Sequence, residues 1–259
     1  MMRFFQISFW LLVFAGITVI LGFARQEQKN IVCSGLRIVI PDADTPGFVT
    51  EADLRRIITH HHDSIPGLYL DSVHSEQLEN LLKSNPYISG ADVVKSLLGE
   101  VIIEAHRNRA LARVITSGGE SFYLSEAGTV MPVSTKYTPR AIVASGAIDL
   151  PASKIRQLQE EKSSLHNHPL LSQTHYLAGR LKQHPFLNAY VEQIFINQKQ
   201  EFELIPADGG HIIVLGDLSN LEIKIENLLA FYQAAKPRMS EKAYREINLK
   251  YINQVVCKK

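Results

Sequence analysis

His60, His61 and His62 stand side by side, and His166 and His168 flank Asn167 in an HNHP segment. Neutral imidazole is a common metal ligand, so both groups pose the question of a metal centre. Adjacent residues on a helix project about 100° apart, whereas useful helical ligand pairs sit three or four residues apart; the triplet therefore reads as a solvated helix end. His166 and His168 have a spacing that could chelate, but no HExxH motif accompanies them and the nearest cysteine is far away in sequence. Cys33 and Cys257 are the only cysteines and lie near opposite ends of the chain beyond its apolar amino terminus, which argues against a disulfide framework or a cysteine zinc site. Nucleophilic and phosphate chemistry also lack a motif: there is no GxSxG elbow, no P-loop and no GxGxxG. Gly118-Gly119 and Gly209-Gly210 read as β-turns, and Glu120 and Glu126 as members of a solvated face. The expectation is a protein with no catalytic residues, no metal and no cofactor.

Composition narrows the partners. Basic residues number 27 against 26 acidic ones, so the chain has no positive field for nucleic acid, and 46% hydrophobic residues exclude a disordered chain. A length of 259 residues accommodates two modest domains beside a membrane segment.

That segment is the run FFQISFWLLVFAGITVILGF, from Phe4 to Phe23, which contains no charged residue. At about 1.5 Å per residue a helix of this length spans the roughly 30 Å hydrocarbon layer. The competing reading is a cleaved signal peptide, because Gly22 and Ala24 place small residues at peptidase spacing; against it, the apolar run exceeds the usual signal core. Asn30, Ile31 and Val32 before Cys33 do not fit a lipoprotein signal. Charge does not settle orientation, since Arg3 flanks one side and Arg25 and Lys29 the other.

Two patterned regions come after a polar stalk, Arg25 to Asn30. Leu36, Ile38 and Ile40 alternate as a strand; Thr50 and Asp53 then mark a helix start of the capping-box kind, with Leu54, Ile57 and Ile58 as its apolar stripe. A second helix is expected over Ser75 to Lys83, closed by Asn85-Pro86, and Val93, Leu97, Val101 and Ile103 fit two strands about a turn near Gly99. The order β-α-α-β-β is that of a POTRA domain. Beyond Arg107 the segments ALARVIT, ESFYL and TVMPV read as antiparallel strands. A helical stretch interrupted by Pro169 runs from Lys154 to His184, then VEQIFIN and EFELIP form a hairpin about Gln198, and HIIVLG is another strand. Ser219 and Glu222 stand at capping-box spacing ahead of a helix carrying Leu221, Ile225, Leu228, Leu229 and Tyr232 on one face. Ile247, Leu249 and Tyr251 mark a last strand running almost to the end.

Three stretches carry a resemblance. NPYISGADVVKSLLGEVIIE from Asn85, FYLSEAGTVMP from Phe122, and VLGDLSNLEIKIENLLAFY followed by INLKYINQVV resemble, in this order and spacing, the FtsQ/DivIB family of bacterial cell-division proteins. Lys224 falls in the family's carboxy-terminal helix and Tyr251 in its terminal strand; Arg109 departs from the proline common at the family's domain junction. The resemblance implies an α+β chain: residues 1–3 a cytoplasmic tail, 4–24 a transmembrane helix, 25–34 a linker, 35–107 a POTRA domain, and 108–259 a mostly antiparallel β domain with a helix before its last strand. It further implies a single-pass inner-membrane protein with its carboxy-terminal part in the periplasm, a non-enzymatic scaffold for septum formation that binds FtsB-like and FtsL-like bitopic proteins and takes no cofactor. The matching partner-binding positions are Lys250, Tyr251, Ile252, Gln254, Val255 and Val256. An edge strand there would leave backbone groups for another chain to complete.

Two other readings make different demands. A POTRA-containing part of outer-membrane assembly or secretion machinery calls for repeated POTRA units and a barrel of roughly 10-residue strands. A membrane-anchored periplasmic enzyme calls for a convergent nucleophile, base and oxyanion site.

Overall fold

The computed structural model describes Trp10 and residues 13–18, 31–61, 65–161, 165–235, 244–251 and 254–259. Trp10 and residues 13–18 are helical, and no helix of the described residues is long and apolar enough to cross a membrane. Most of the expected span and stalk, with His62 and Ile252, lies outside the described residues. The chain divides into two compact units, Met1–Arg107 and Asn108–Lys259.

In the first unit the expected β-α-α-β-β order is present. Strand β1 (Gly35–Val39) leads to helix α1 (Glu51–His61), a short turn of 3-10 helix (Leu70–Ser72), helix α2 (Ser75–Ser84), and strands β2 (Ile88–Lys95) and β3 (Glu100–Arg107). The sheet order is β1-β3-β2, with β1 parallel to β3 and β2 antiparallel to it. A parallel pair needs a crossover, which the two helices supply. Thr50 and Asp53 cap α1 reciprocally: the Thr50 amide donates to Asp53 Oδ2 at 3.1 Å and the Asp53 amide donates to Thr50 Oγ1 at 3.3 Å. Asp is therefore long enough to serve where Glu is usual. Helix α2 stops because Asn85 precedes Pro86 and is held extended, its side-chain oxygen accepting from the Tyr87 amide. Leu54, Ile58, Leu78 and Leu82 from the helices pack with Val101 and Ile103 from the central strand, all buried. Leu97 departs from expectation: it lies in the turn rather than a strand and is 76% exposed. Arg107, almost fully buried, closes the unit by donating from Nε to Asp42 Oδ1 at 3.0 Å and from its terminal nitrogen to the Thr45 carbonyl at 3.1 Å.

The second unit is built on one nine-stranded sheet of order β12-β11-β10-β9-β8-β7-β4-β5-β6. Its strands are β4 (Ala110–Ile115), β5 (Ser121–Ser125), β6 (Val130–Pro132), β7 (Ile142–Gly146), β8 (Val191–Ile196), β9 (Phe202–Pro206), β10 (Ile212–Gly216), β11 (Glu246–Asn248) and β12 (Val256–Lys258). The pairs β4/β5, β5/β6, β8/β9, β9/β10 and β11/β12 are antiparallel; β4/β7, β7/β8 and β10/β11 are parallel. Helices α3 (Ala152–Glu161), α4 (Pro169–Gln183) and α5 (Pro185–Tyr190) carry the chain from β7 to β8, and α6 (Leu221–Ala235) carries it from β10 to β11. Pro169 and Pro185 each open a helix, where the missing amide hydrogen costs nothing. The core joins Phe122 and Leu124 of β5 and Phe202 and Leu204 of β9 to Leu177, Leu181, Ile225 and Leu228 of the helices.

Candidate partner-binding edge

Strand β10 positions everything carboxy-terminal to it. Ile213, fully buried, lies beside the equally buried Ile247, and the ladder ends where the Leu249 amide donates to the Val214 carbonyl at 2.8 Å. Gly216 then turns at φ +73°, and the Lys250 side chain lies over it; a Cβ at Gly216 would come within 2.9 Å of Lys250 Cγ. Only glycine takes this φ without strain while leaving room for the lysine stem.

The alternation Ile247, Leu249, Tyr251 does not continue to the end as one strand. Ile247 and Leu249 are buried, but Tyr251 is 54% exposed and the strand has already stopped at Asn248. Lys250 donates its amide to the Asn248 side-chain oxygen at 3.0 Å, which turns the chain out of the ladder. Residues 256–258 then return antiparallel along β11, pairing Ile247 with Cys257 and Asn248 with Val256. The expected open strand over Glu246–Asn248 is thus enclosed by β10 on one side and β12 on the other, and the sheet ends at β12. Among the described residues no strand pairs with the outer side of β12. At the opposite end of the sheet, β6 has three residues and finishes at Pro132, which offers no amide hydrogen to a partner.

The six expected contact residues therefore divide. Tyr251 and Gln254 are exposed in the connection between β11 and β12; Val255 is half-buried against the core; Val256 is half-buried in the edge strand. Lys250 is engaged within the unit, its Nζ donating to Glu201 Oε1 at 2.6 Å. Ile252 lies outside the described residues.

Glu201 and Glu246 belong to the site although their sequence context gave no sign of it. The hydrogen bond from Lys250 holds the Glu201 carboxyl below the usual range, and the same pair raises the Lys250 ammonium. Lys258 Nζ stands 2.8 Å from both oxygens of Glu246, and that contact lowers the Glu246 carboxyl. The two pairs fasten the terminal hairpin at both ends: one ties its turn to the β8–β9 hairpin, the other ties β12 to β11. Lys224 secures the loop behind it, with Nζ 2.8 Å from the Asp217 carbonyl and 3.0 Å from its carboxylate. The expected Ser219–Glu222 capping box is absent: Ser219 Oγ donates to Asp217 at 2.6 Å, and Glu222 pairs with Arg180.

The histidine groups and the cysteines lie elsewhere. His60 and His61 are tilted neighbours with ring centroids 5.3 Å apart, and His61 Nδ1 stands 3.0 Å from the Ile57 carbonyl. His168 precedes α4, and the side chain of His166 is outside the described residues. Among the described residues no three His, Cys, Asp or Glu side chains are grouped to hold a metal. Cys33 and Cys257 are both free thiols. A cavity of about 450 Å³ between β4, β7 and α4 is lined by Leu111, Arg140, Leu181, Lys182 and Glu192 among others, with no Ser, Thr, Cys or His in its wall.

One polar cluster, with His211 and Tyr232 buried, Tyr190 half-buried and Asp208 exposed, had no sequence signal. The Tyr190 hydroxyl donates to Asp208 Oδ2 at 2.7 Å, and Tyr232 Oη stands 2.5 Å from His211 Nε2. Burial pushes Tyr190 up to about 12, raises Tyr232 as well, and lowers His211. Burial also opposes ionisation of Asp208, but hydrogen bonds from Tyr190 and the Gly210 amide outweigh it and leave that carboxyl below its usual range. Tyr190 and Tyr232 meet edge to face with centroids 5.2 Å apart, so the two rings pack against the core at its margin.

An α+β module of POTRA form, followed by a mostly antiparallel β unit whose sheet ends in the short strand β12, defines a two-unit POTRA-plus-β class of protein. The POTRA-like domain model matches residues 31–106, and the model described as FtsQ/DivIB, C-terminal related, matches residues 109–258; the chain belongs to the FtsQ/DivIB family. That family is a membrane-associated scaffold family of the cell-division machinery. No curated protein matches the chain.

Proposed function

We propose that this protein is a divisome scaffold, anchored in the inner membrane by Phe4–Phe23 with both units in the periplasm, and that an extended segment of an FtsB-like or FtsL-like bitopic partner completes its sheet at β12. The observation that carries this reading is that, among the described residues, no strand pairs with the outer side of Val256–Lys258, whereas the sheet's other edge strand, β6, finishes at Pro132. Backbone hydrogen bonds would supply affinity, and Tyr251 beside the edge would supply a side-chain anchor of the type enriched at interface hot spots. The charge-free run at the amino terminus and family membership support the anchor and the division role. The protein acts by binding, without cofactor or catalysis. Outer-membrane assembly is less well supported, because the described residues hold one POTRA-like unit and no barrel.

Capture of FtsB-like and FtsL-like proteins by the full chain, by the Tyr251→Ala variant and by a chain ending at Tyr251 tests the reading. Capture is expected to weaken with Tyr251→Ala and to vanish with the shortened chain, while circular dichroism of both stays close to wild type. Undiminished capture by the shortened chain removes β12 from the interface.

A further inference from the structure

The hairpin joining β2 to β3 turns through residues 96–99 with two leucines in the open: Leu97 is 76% and Leu98 85% exposed. Turns at this position are ordinarily polar. This turn is held rigidly, the Gly99 amide donating to the Ser96 carbonyl at 3.1 Å and the Leu98 amide to Ser96 Oγ at 3.2 Å.

The same end of the sheet receives the incoming chain. Ser34 donates its amide to the Gly99 carbonyl at 2.8 Å, Cys33 to the Leu68 carbonyl at 2.7 Å, and Leu70 to the Ile31 carbonyl at 2.8 Å. A bridge pairs Val32 with Tyr69. Val32, Leu68 and Tyr69 are exposed to 50%, 44% and 58%. Three chain segments thus bring five large apolar side chains to one end of the unit, beside the exposed ion pair Arg37–Glu100. Monomeric proteins rarely leave such a group uncovered without a use for it.

Chain length indicates what covers it. From Phe23, the last residue of the apolar run, to Ile31 there are eight peptide steps, which reach at most roughly 29 Å when fully extended. The chain leaves the unit at Arg107, at the other end of β3, about 23 Å further along the strand. The apolar end is therefore the end tethered short to the bilayer. We infer that the POTRA-like unit rests on the membrane through this end, with Leu97, Leu98, Leu68 and Tyr69 seated in the headgroup layer. The inference rests on Phe4–Phe23 being a membrane span. Leucine side chains gain from leaving water at that depth, and tyrosine is suited to the interface because its ring is apolar and its hydroxyl stays wet. The contact fixes the standing angle of the unit and so directs its remaining surfaces toward the periplasm.

Trp10 is the only tryptophan, which makes the test direct. The full-length chain is reconstituted in phosphatidylcholine and phosphatidylglycerol vesicles, with and without lipids brominated close to the headgroup or deep in the acyl chains. Trp10 in the wild type reports the span through quenching by deep bromine. A Trp10→Phe, Leu98→Trp variant reports the hairpin tip, and Trp10→Phe, Ser89→Trp reports the exposed far end of the same hairpin. The expected result is blue-shifted emission from the Leu98→Trp variant, quenched by bromine near the headgroup, with the Ser89→Trp variant unquenched. Trp10 quenched but Leu98→Trp solvent-like overturns the inference and leaves the span standing. Blue-shifted emission without quenching puts protein, such as a second copy of this chain, on the tip and also overturns it. Absence of quenching at both Trp10 and Leu98→Trp overturns the span and the contact together.

Discussion

The Lys224 ammonium, on a residue only 3% exposed, donates to both the carbonyl and the carboxylate of Asp217, which is itself largely exposed. A buried helix cation is thereby satisfied by the loop immediately before its own helix, and the β10–α6 connection is fixed on the side where Gly216 receives Lys250. Asn220, at φ 52°, takes the left-handed conformation that the sharp entry into α6 requires. Truncation to Lys224→Ala leaves a cavity and unmade hydrogen bonds, and is expected to cost about 2 to 4 kcal/mol of stability. Lys224→Met refills the volume and removes the charge that burial penalises, so its cost should be smaller, about 1 kcal/mol. Urea unfolding followed by circular dichroism separates the two; equal losses would show that the ammonium and not the packing dominates.

The terminal hairpin should loosen in acid. Glu201 and Glu246 are each held below the ordinary value of 4.5, chiefly by Lys250 and Lys258 respectively. Asp217 is held below 3.8, chiefly by the Ser219 hydroxyl and then by Lys224. A carboxyl with a depressed folded pKa stabilises the fold fully above its unfolded value, and that contribution disappears as pH falls through the folded value. The loss therefore begins below about 4.5 for the two lysine-paired glutamates and below about 3.8 for Asp217. All three groups touch solvent, so screening by salt weakens the effect without changing its direction. Amide resonances of Cys257 and Lys258 should shift toward unpaired positions over this window, and Glu246→Gln should make them nearly insensitive to it. Resonances that stay flat in the wild type would mean that backbone pairing alone holds β12.

Gly146 ends β7 at φ +107°, and a Cβ there would meet the Ile196 carbonyl oxygen of β8 at 2.1 Å. The neighbouring Ala147 amide donates to that same carbonyl at 2.7 Å, so β8 cannot recede without breaking the link. Gly146→Ala combines backbone strain with a backbone clash and should destabilise the second unit by about 3 kcal/mol or more. For a unit of this size that lowers the melting temperature by roughly 10 °C, readable by calorimetry. An unchanged melting temperature would show that the two strands part there easily.

Much of this architecture was legible because the periodicities were long. The switch from period 2 to period 3.6 and back gave β-α-α-β-β, Thr50 and Asp53 marked the first helix start, and five apolar residues set the buried face of α6. Strand β7 leaves no clear sequence signature because Ala144, Ser145 and Gly146 are small and carry little strand preference, although β4 and β8 enclose it on both sides. The terminal hairpin is hidden in the sequence for another reason. Three-residue strands are too short to show a period, and Tyr251 has the parity of a core residue although the ladder ends before it. Glu201 and Glu246 find their lysines through the tertiary fold, across 49 and 12 residues of sequence, distances at which pattern reading has no purchase.

Half-buried Tyr190 and buried Tyr232 should give the second unit a late alkaline transition. Burial first, and then the hydrogen bond to Asp208, push Tyr190 up to about 12 from an ordinary value of 10.0; Tyr232 is raised further by burial. For a phenol raised in this way the stabilisation is complete below pH 10 and is lost as pH climbs through about 12, because the unfolded chain releases its protons first. Tyrosinate absorbance should therefore show a late step coincident with loss of the folded circular-dichroism signal. Asp208→Asn removes both the carboxylate acceptor and its repulsion of a phenolate, so the Tyr190 step should move down toward 10 while burial keeps it from reaching that value. A Tyr190 step that does not move in Asp208→Asn would show that the 2.7 Å contact contributes nothing and that desolvation alone sets the titration.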